Sequence, residues 1–311
     1  MAITGVMRPG HAQLRVLDIE EGRKFYRDVL GLVETGVDAQ GRVYLKGWDE
    51  RDHHSVVLRQ DDKAGIDFIG FKVLDNATLD QLERDVQAYG YSTQRIPAGD
   101  LMETGERVRF TLPTGHVFEL YADKTKVGNG LGQTNPHPWG ADSERGIAPT
   151  RFDHCLLYGP NIAANKKFFI EVLGFYLVER VLGPKEAGEP EVVIFLSCSN
   201  KTHDIAFAEY PEPGKLHHLS FYMKSWERVL RAGDIMGMHK VPIDIGPTRH
   251  GTTRAETIYA WDPSGNRFET FGGAYEPYPD FEPITWTYES FGHGLDFPHG
   301  KLHESFLTIV T

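Results

Sequence analysis

The chain has 311 residues and a formal net charge of -11, with 33 Lys and Arg against 44 Asp and Glu. That balance gives no basic footprint and excludes nucleic acid as the expected partner. At 25% charged and 40% hydrophobic residues, it has the composition of a folded protein long enough for two domains of about 150 residues.

Nothing in the sequence approaches the roughly 18 apolar residues of a membrane span. The opening MAITGVMRPG lacks the apolar core of a secretory signal, so a cytoplasmic protein is expected. Cys155 and Cys198 are too few for a disulfide framework or a thiolate metal site and are expected as free thiols.

In chain order, PGHAQLRVLDIEEGRKFYRDVLGLVETG, from Pro9, reads as a strand and then a helix. GIDFIGFKVLDNATLDQLERDVQAYG, from Gly65, supplies a strand and a second helix, and RVRFTLPTGHVFELYADK, from Arg107, a hairpin. A Gly-, Pro- and Asn-rich stretch from about Asp123 to Gly146 has no periodicity and reads as a linker.

The unit then repeats. FDHCLLYGPNIAANKKFFIEVLGFYLVER, from Phe152, sets His154 opposite His11, with Asn161 expected to cap the helix. KLHHLSFYMKSWERVLRAGDIMGMH sets His218 opposite Phe68, and TIYAWDPSGNRFETFGGA sets Glu269 opposite Glu119. A domain of residues 1–134 is thus expected before one of 135–311. The second ends in an aromatic, Pro-rich tail from about 273 with no earlier counterpart, expected to cover the second unit and its pocket.

Asp262-Pro263-Ser264-Gly265-Asn266 suits a three-residue hairpin loop, with Gly265 left-handed. Counting back from that turn places Trp261 opposite Arg267 and Tyr259 opposite Glu269. The same count in the first unit places Arg109 opposite Glu119, where a cross-strand ion pair of about 0.2–1 kcal/mol gives that acid a structural use.

In LHHLSFYM, alternation turns Leu219, Phe221 and Met223 towards the helices and His218, Ser220 and Tyr222 the other way. His217 is expected on the helix side. His154, His218 and Glu269 then come from three strands of the second unit. Two imidazoles and one carboxylate form the facial triad of non-haem Fe(II) oxygenases, although Mn, Co or Zn also bind such ligands. The remaining histidines His53, His54, His116, His137, His239, His293, His299 and His303 read as surface or loop residues.

The run from Thr248 through His250, Ile258, Tyr259, Asp262, Pro263 and Gly265 to Glu269 resembles the signature of the extradiol ring-cleavage dioxygenases of the vicinal oxygen chelate superfamily. GVMRPGHAQLRVLD, RFDHCLLYG, THDIAF, KLHHLSF and DIGPTRHG extend the likeness over essentially the whole chain, nearest to enzymes acting on single-ring catechols. The resemblance implies an α+β fold of two tandem domains of paired βαβββ modules, each sheet curled around a central cavity. It implies Fe(II) on His154, His218 and Glu269 in the second domain alone. It also implies His203 as the acid/base residue beside O₂, His250 and Tyr259 as hydrogen-bond partners of the substrate hydroxyls, and a homotetramer. Two alternatives stay open: a metal-dependent isomerase or lyase of the same superfamily, working without O₂, and a non-catalytic binding module.

Overall fold

The structure is a computed structural model that describes residues 5–140 and 144–311. The first sheet holds β1 (Val6–Val16), β2 (Val33–Val37), β3 (Val43–Lys46), β4 (Val56–Gln60), β5 (Gly65–Val73), β6 (Gln94–Ile96), β7 (Arg107–Thr111) and β8 (Val117–Tyr121). The second holds β9 (Arg151–Gly159), β10 (Tyr176–Leu182), β11 (Glu191–Ser197), β12 (Ile205–Glu209), β13 (Lys215–Tyr222), β14 (Ile243–Arg249), β15 (Ala255–Trp261) and β16 (Arg267–Gly273). A ninth strand, β17 (Ile284–Trp286), comes from the tail and pairs in parallel with β10.

Strand order is β2-β3-β4-β1-β5-β8-β7-β6 in the first sheet and, read from the opposite edge, β17-β10-β11-β12-β9-β13-β16-β15-β14 in the second. Apart from β17 the two orders correspond strand for strand. Each sheet is a pair of βαβββ modules joined through its two long central strands, curled but not closed.

The helices are α1 (Ile19–Lys24), α2 (Asn76–Tyr89), α3 (Ile162–Glu171), α4 (Trp226–Met238), α5 (Phe291–Leu295) and α6 (Glu304–Thr308). The Asp75 carboxylate caps α2 by accepting from Thr78 N–H, and left-handed Gly90 ends it. Ser225 caps α4 in the same way. The expected Asn161 cap on α3 is different: Asn161 is left-handed and its side chain makes no capping bond. Glu209, from the neighbouring strand β12, accepts from the Asn161 and Ile162 N–H groups instead.

Helices α1–α4 cover one face of each sheet, and the apolar core beneath them runs through both units. Phe25, just beyond α1, packs on Phe268 of β16 at 5.6 Å between ring centres. Reciprocally, Phe169 of α3 packs on Phe118 of β8 at 5.6 Å. Burying such a ring contributes about 1.5–3 kcal/mol.

The hairpin turns repeat the exchange in polar groups. At the second unit's turn, Asp262 accepts from Tyr26 Oη at 3.0 Å, Ser264 Oγ from Leu17 N–H, and Asn266 donates to the Arg15 carbonyl. At the first unit's turn, Thr114 accepts from Asn165 of α3 at 2.8 Å and His116 Nε2 lies 3.0 Å from the Lys215 carbonyl. Each turn therefore docks on the other unit.

Several histidines differ from expectation. His53, His54 and His116 lie in loops but are buried. His54 packs against Tyr44 at 4.9 Å, and its Nδ1 lies 3.0 Å from Nδ1 of His53. His217 does not face α1–α4. A β-bulge between Leu216 and His218 gives β13 an extra residue, so His217 and His218 share the face opposite Leu216 and Leu219. His217 accordingly stacks on Tyr158 at 4.7 Å and packs on Phe306.

Candidate active site

The predicted hairpin register is present: Tyr259 faces Glu269 and Trp261 faces Arg267, with the Asp262 N–H bonded to the Asn266 carbonyl and Gly265 left-handed at φ 88°. β13 lies between β9 and β16 and sets Ser220 beside both His154 and Glu269. That cross-strand row brings His154 and Glu269 together, and His218, two residues before Ser220 on β13, completes the set. Donor atoms of His154, His218 and Glu269 all lie within 4.8 Å of one another, and all three residues are buried.

The donor set fits a metal ion. His154 Nε2 and His218 Nε2 lie 3.1 and 3.5 Å from Glu269 Oε2, and His218 Nε2 has no hydrogen-bond partner despite complete burial. A buried, unpartnered nitrogen aimed at a carboxylate is where a cation belongs.

The remaining nitrogens and oxygens of the three residues are occupied. His154 Nδ1 donates to Asp153 at 3.1 Å, which leaves Nε2, 3.1 Å from Glu269 Oε2, as its ligand atom. Ser220 and Thr257 hydroxyls donate to Glu269 Oε2 and Oε1, each at 2.5 Å. Burial alone raises the Glu269 pKa, but the neighbouring His154, His250 and His218 outweigh it and hold the carboxyl well below the usual range. Burial pushes His218 down to about 3, so its imidazole is neutral.

Above this floor is a cavity of about 210 Å³. His203 lies on its wall with its ring 3.9 Å from that of His154; burial first, then the neighbouring charge of His154, keeps it neutral. Its Nδ1 has no partner. His250 Nε2 and Tyr259 Oη are 2.8 Å apart on the wall. His250 Nδ1 is bonded to the Leu295 carbonyl of α5, so Nε2 is its accepting nitrogen and the Tyr259 hydroxyl donates to it.

All six sequence-predicted residues, His154, His218, Glu269, His203, His250 and Tyr259, thus line one cavity. Its walls are otherwise mostly apolar: Leu156, Val193, Phe195, Ala206 and Ala208 from the sheet, Phe291, Leu295 and Phe306 from the tail. The tail covers the pocket as expected, and also holds it through main-chain carbonyls.

The sequence sets Ser220 on the face of His218 without a role and gives Asp153, His217, Thr257 and Glu179 no place in the site. Glu179, wholly buried, accepts from Thr253 N–H, Tyr275 Oη and Trp286 Nε1 at 2.7–2.9 Å and so fixes the turn after His250. Alternation would have found Ser220 and Thr257, which share a face with His218 and Glu269. Glu179 depends on contacts far apart in the chain, His217 on the bulge, and Asp153 on a bond to its own neighbour His154.

The first unit shows the same frame with other chemistry. Glu119 accepts from Arg107 at 2.7 Å and Arg109 at 2.5 and 2.8 Å; His11 Nε2 is 3.5 Å away, and Lys124 Nζ lies 2.9 Å from His11 Nδ1. Burial raises the Glu119 pKa, but His11 and the guanidiniums overcome it and bring it to about 2.

Residues 66–125 match the model of the catechol 2,3-dioxygenase-like N-terminal domain, and residues 151–270 that of the glyoxalase/bleomycin resistance protein/dioxygenase superfamily. The chain is 51% identical, over 99% of both sequences, to a metapyrocatechase from Pseudomonas sp. (strain CF600). It is 32% identical to a manganese-dependent 2,3-dihydroxybiphenyl 1,2-dioxygenase from Geobacillus genomosp. 3, over 92% of this chain and 91% of that one. The crystal structure of the 2,3-dioxygenase LapB from Pseudomonas sp. KL28 superimposes with a TM-score of 0.90 at 69% identity, covering 92% of this chain and 99% of that one. Likeness of this extent, carried by both halves of the fold, has one consequence: the chain belongs to the extradiol ring-cleavage dioxygenases of the glyoxalase/dioxygenase superfamily.

Proposed function

We propose that the chain is a catechol 2,3-dioxygenase, opening the ring of catechol or methyl- and alkyl-catechols beside one hydroxyl. Both atoms of O₂ enter the product, 2-hydroxymuconate semialdehyde or its substituted form. The observation that carries it is the meeting of three buried donor atoms with a hydrogen-bonding pair and an unpartnered imidazole around one small apolar cavity.

His154, His218 and Glu269 would hold Fe(II), which supplies a path for electron density between catecholate and O₂ that the organic substrate lacks. His250 Nε2, kept as an acceptor by the Leu295 carbonyl, takes the hydrogen bond of a catechol hydroxyl. Tyr259, released from His250, donates to a catechol oxygen. His203, neutral and unpartnered, takes and returns a proton at the oxygen being added. The apolar walls exclude water and seat the ring and its substituents.

Fe(II) is preferred over Mn(II), a homotetramer is the expected assembly and the cytoplasm the expected compartment. No helix among the described residues is long and apolar enough to cross a membrane. We divide the chain into domains of residues 1–134 and 135–311, with the ligand set in the second and the tail from about 273.

The test adds catechol, 3-methylcatechol and 4-methylcatechol separately to protein loaded with Fe(II) or Mn(II), in air and without oxygen. Yellow ring-cleavage product in air, dependent on metal, is expected. Turnover without oxygen would overturn the dioxygenase reading in favour of a metal-dependent isomerase or lyase.

A further inference from the structure

The bulge in β13 sets two imidazoles side by side. Nδ1 of His217 lies 2.6 Å from Nδ1 of His218, so one nitrogen carries the shared hydrogen and the other accepts it. The opposite end of His217 decides which. Its Nε2 lies 2.9 Å from the main-chain carbonyl of Phe306 in α6. A carbonyl only accepts, so His217 Nε2 bears a hydrogen.

His217 is wholly buried among the rings of Tyr158, Tyr259 and Phe306, with no carboxylate in contact, which disfavours a charged ring. An uncharged imidazole has one N–H, and here it is spent on Phe306. His217 Nδ1 is therefore bare, and the shared hydrogen belongs to His218 Nδ1. His218 Nε2 is left with an open lone pair, and it is the nitrogen without a partner, 3.5 Å from Glu269.

We propose that His217 is a positioning residue: it fixes His218 in the Nδ1–H tautomer and aims the Nε2 lone pair at the metal, taking its reference from the main chain of α6. The inference rests on the metal reading of His154, His218 and Glu269. It assigns the tail a task beyond covering the cavity, because the Phe306 carbonyl sets the proton arrangement of a ligand it does not touch.

The first unit separates scaffold from device. β5 has the corresponding bulge, between the pairs Gln13–Phe68 and Leu14–Ile66, so the bulge belongs to the shared fold. At the extra position stands Asp67, bonded to Gln13, Arg15 and Arg59, and its neighbour is Phe68. The first unit's own imidazole pair, His53 and His54, stands elsewhere, before β4, so a pair at the bulge belongs to the unit with the candidate metal centre.

The test has two arms. In ¹⁵N-histidine-labelled, Zn(II)-loaded protein, nitrogen chemical shifts should show His217 protonated at Nε2 and bare at Nδ1. A His217 cation, or an Nδ1–H form, overturns the proposal even if no variant folds. In the second arm, His217→Phe keeps the ring stack but removes the acceptor, whereas His217→Asn places an amide oxygen near the former Nδ1. Zn(II) and Fe(II) dissociation constants should rise about ten- to a hundredfold in the Phe variant and recover in part with Asn.

Equal metal affinity in wild type and the Phe variant overturns the proposal. So does a loss of melting temperature in both variants with no separation of their affinities, which is what a purely structural role gives. Stoichiometric metal binding without catechol cleavage would refute the proposed function and leave the tautomer assignment standing.

Discussion

The Tyr26 hydroxyl stands 3.0 Å from the Asp262 carboxylate, across the boundary between the two sheets. Asp262 also accepts the Ser264 and Asn266 N–H groups and so shapes the turn that sets Tyr259 opposite Glu269. Tyr26→Phe should destabilise the chain by about 1–2 kcal/mol, since it leaves a buried carboxylate short of one donor. Denaturant unfolding measures the loss. Metal content at 25 °C should be unchanged, because the turn's own hydrogen bonds still hold the register.

His203→Gln should separate chemistry from binding. The ring makes no hydrogen bond through Nδ1 and supplies none of the three clustered donor atoms, so metal content and anaerobic catechol affinity should stay within about twofold of wild type. Its kcat in air should fall by about 10²–10⁴-fold, the usual contribution of a placed acid/base group. Steady-state rates with separate anaerobic titration check both halves. A large loss of metal would show that the ring is a structural support of His154 instead.

The first unit's ion-pair cluster should prove costly to open. Arg107 is wholly buried and pairs with Glu119, itself wholly buried, at 2.7 Å. Arg107→Met leaves the carboxylate with Arg109 as its one guanidinium and should cost about 3–5 kcal/mol. Metal affinity should not move, since the clustered donors belong to the other sheet. A chemical melt of metal-free and metal-loaded protein distinguishes the two effects.

His116 predicts an acid-sensitive boundary between the units. Burial lowers its pKa from 6.5 to about 4 in the folded chain. Unfolded chains bind the proton from pH 6.5 downwards and folded ones only near 4, so stability is complete above 6.5 and drains away as pH falls between those values. From pH 7.5 to 5 the group should account for about 2 kcal/mol. His116→Gln should flatten the wild-type slope of urea stability against pH by that amount; an unchanged slope would refute the assignment.

Much of the site was legible because the hairpin and the repeat each constrain it. Asp262-Pro263-Ser264-Gly265-Asn266 fixes a register by local turn chemistry, which needs nothing from the rest of the chain. Setting the two units side by side picked out His154, His218 and Glu269 without knowledge of their neighbours. The bulge at His217 escaped because simple alternation assigns one face per residue, and an inserted residue breaks that count with no local marker. His116 and His54 escaped for a different reason: their burial comes from partners many residues away, such as Lys215 and His11. Main-chain acceptors in the tail, at Leu295 and Phe306, have no side-chain signature at all.

Because each turn sits in the other unit's surface, the two copies of this duplicated fold are not free to diverge independently. The copy that surrounds His11 and Glu119 with Arg107, Arg109 and Lys124 has changed its chemistry, yet Arg15, Leu17 and Tyr26 still form the mould in which the Asp262 turn is cast. An insertion of even one residue near Leu17 would be felt at Glu269, some 250 positions later, as a turn without its seat. Selection for ring cleavage in one half therefore reaches the other half through shape alone.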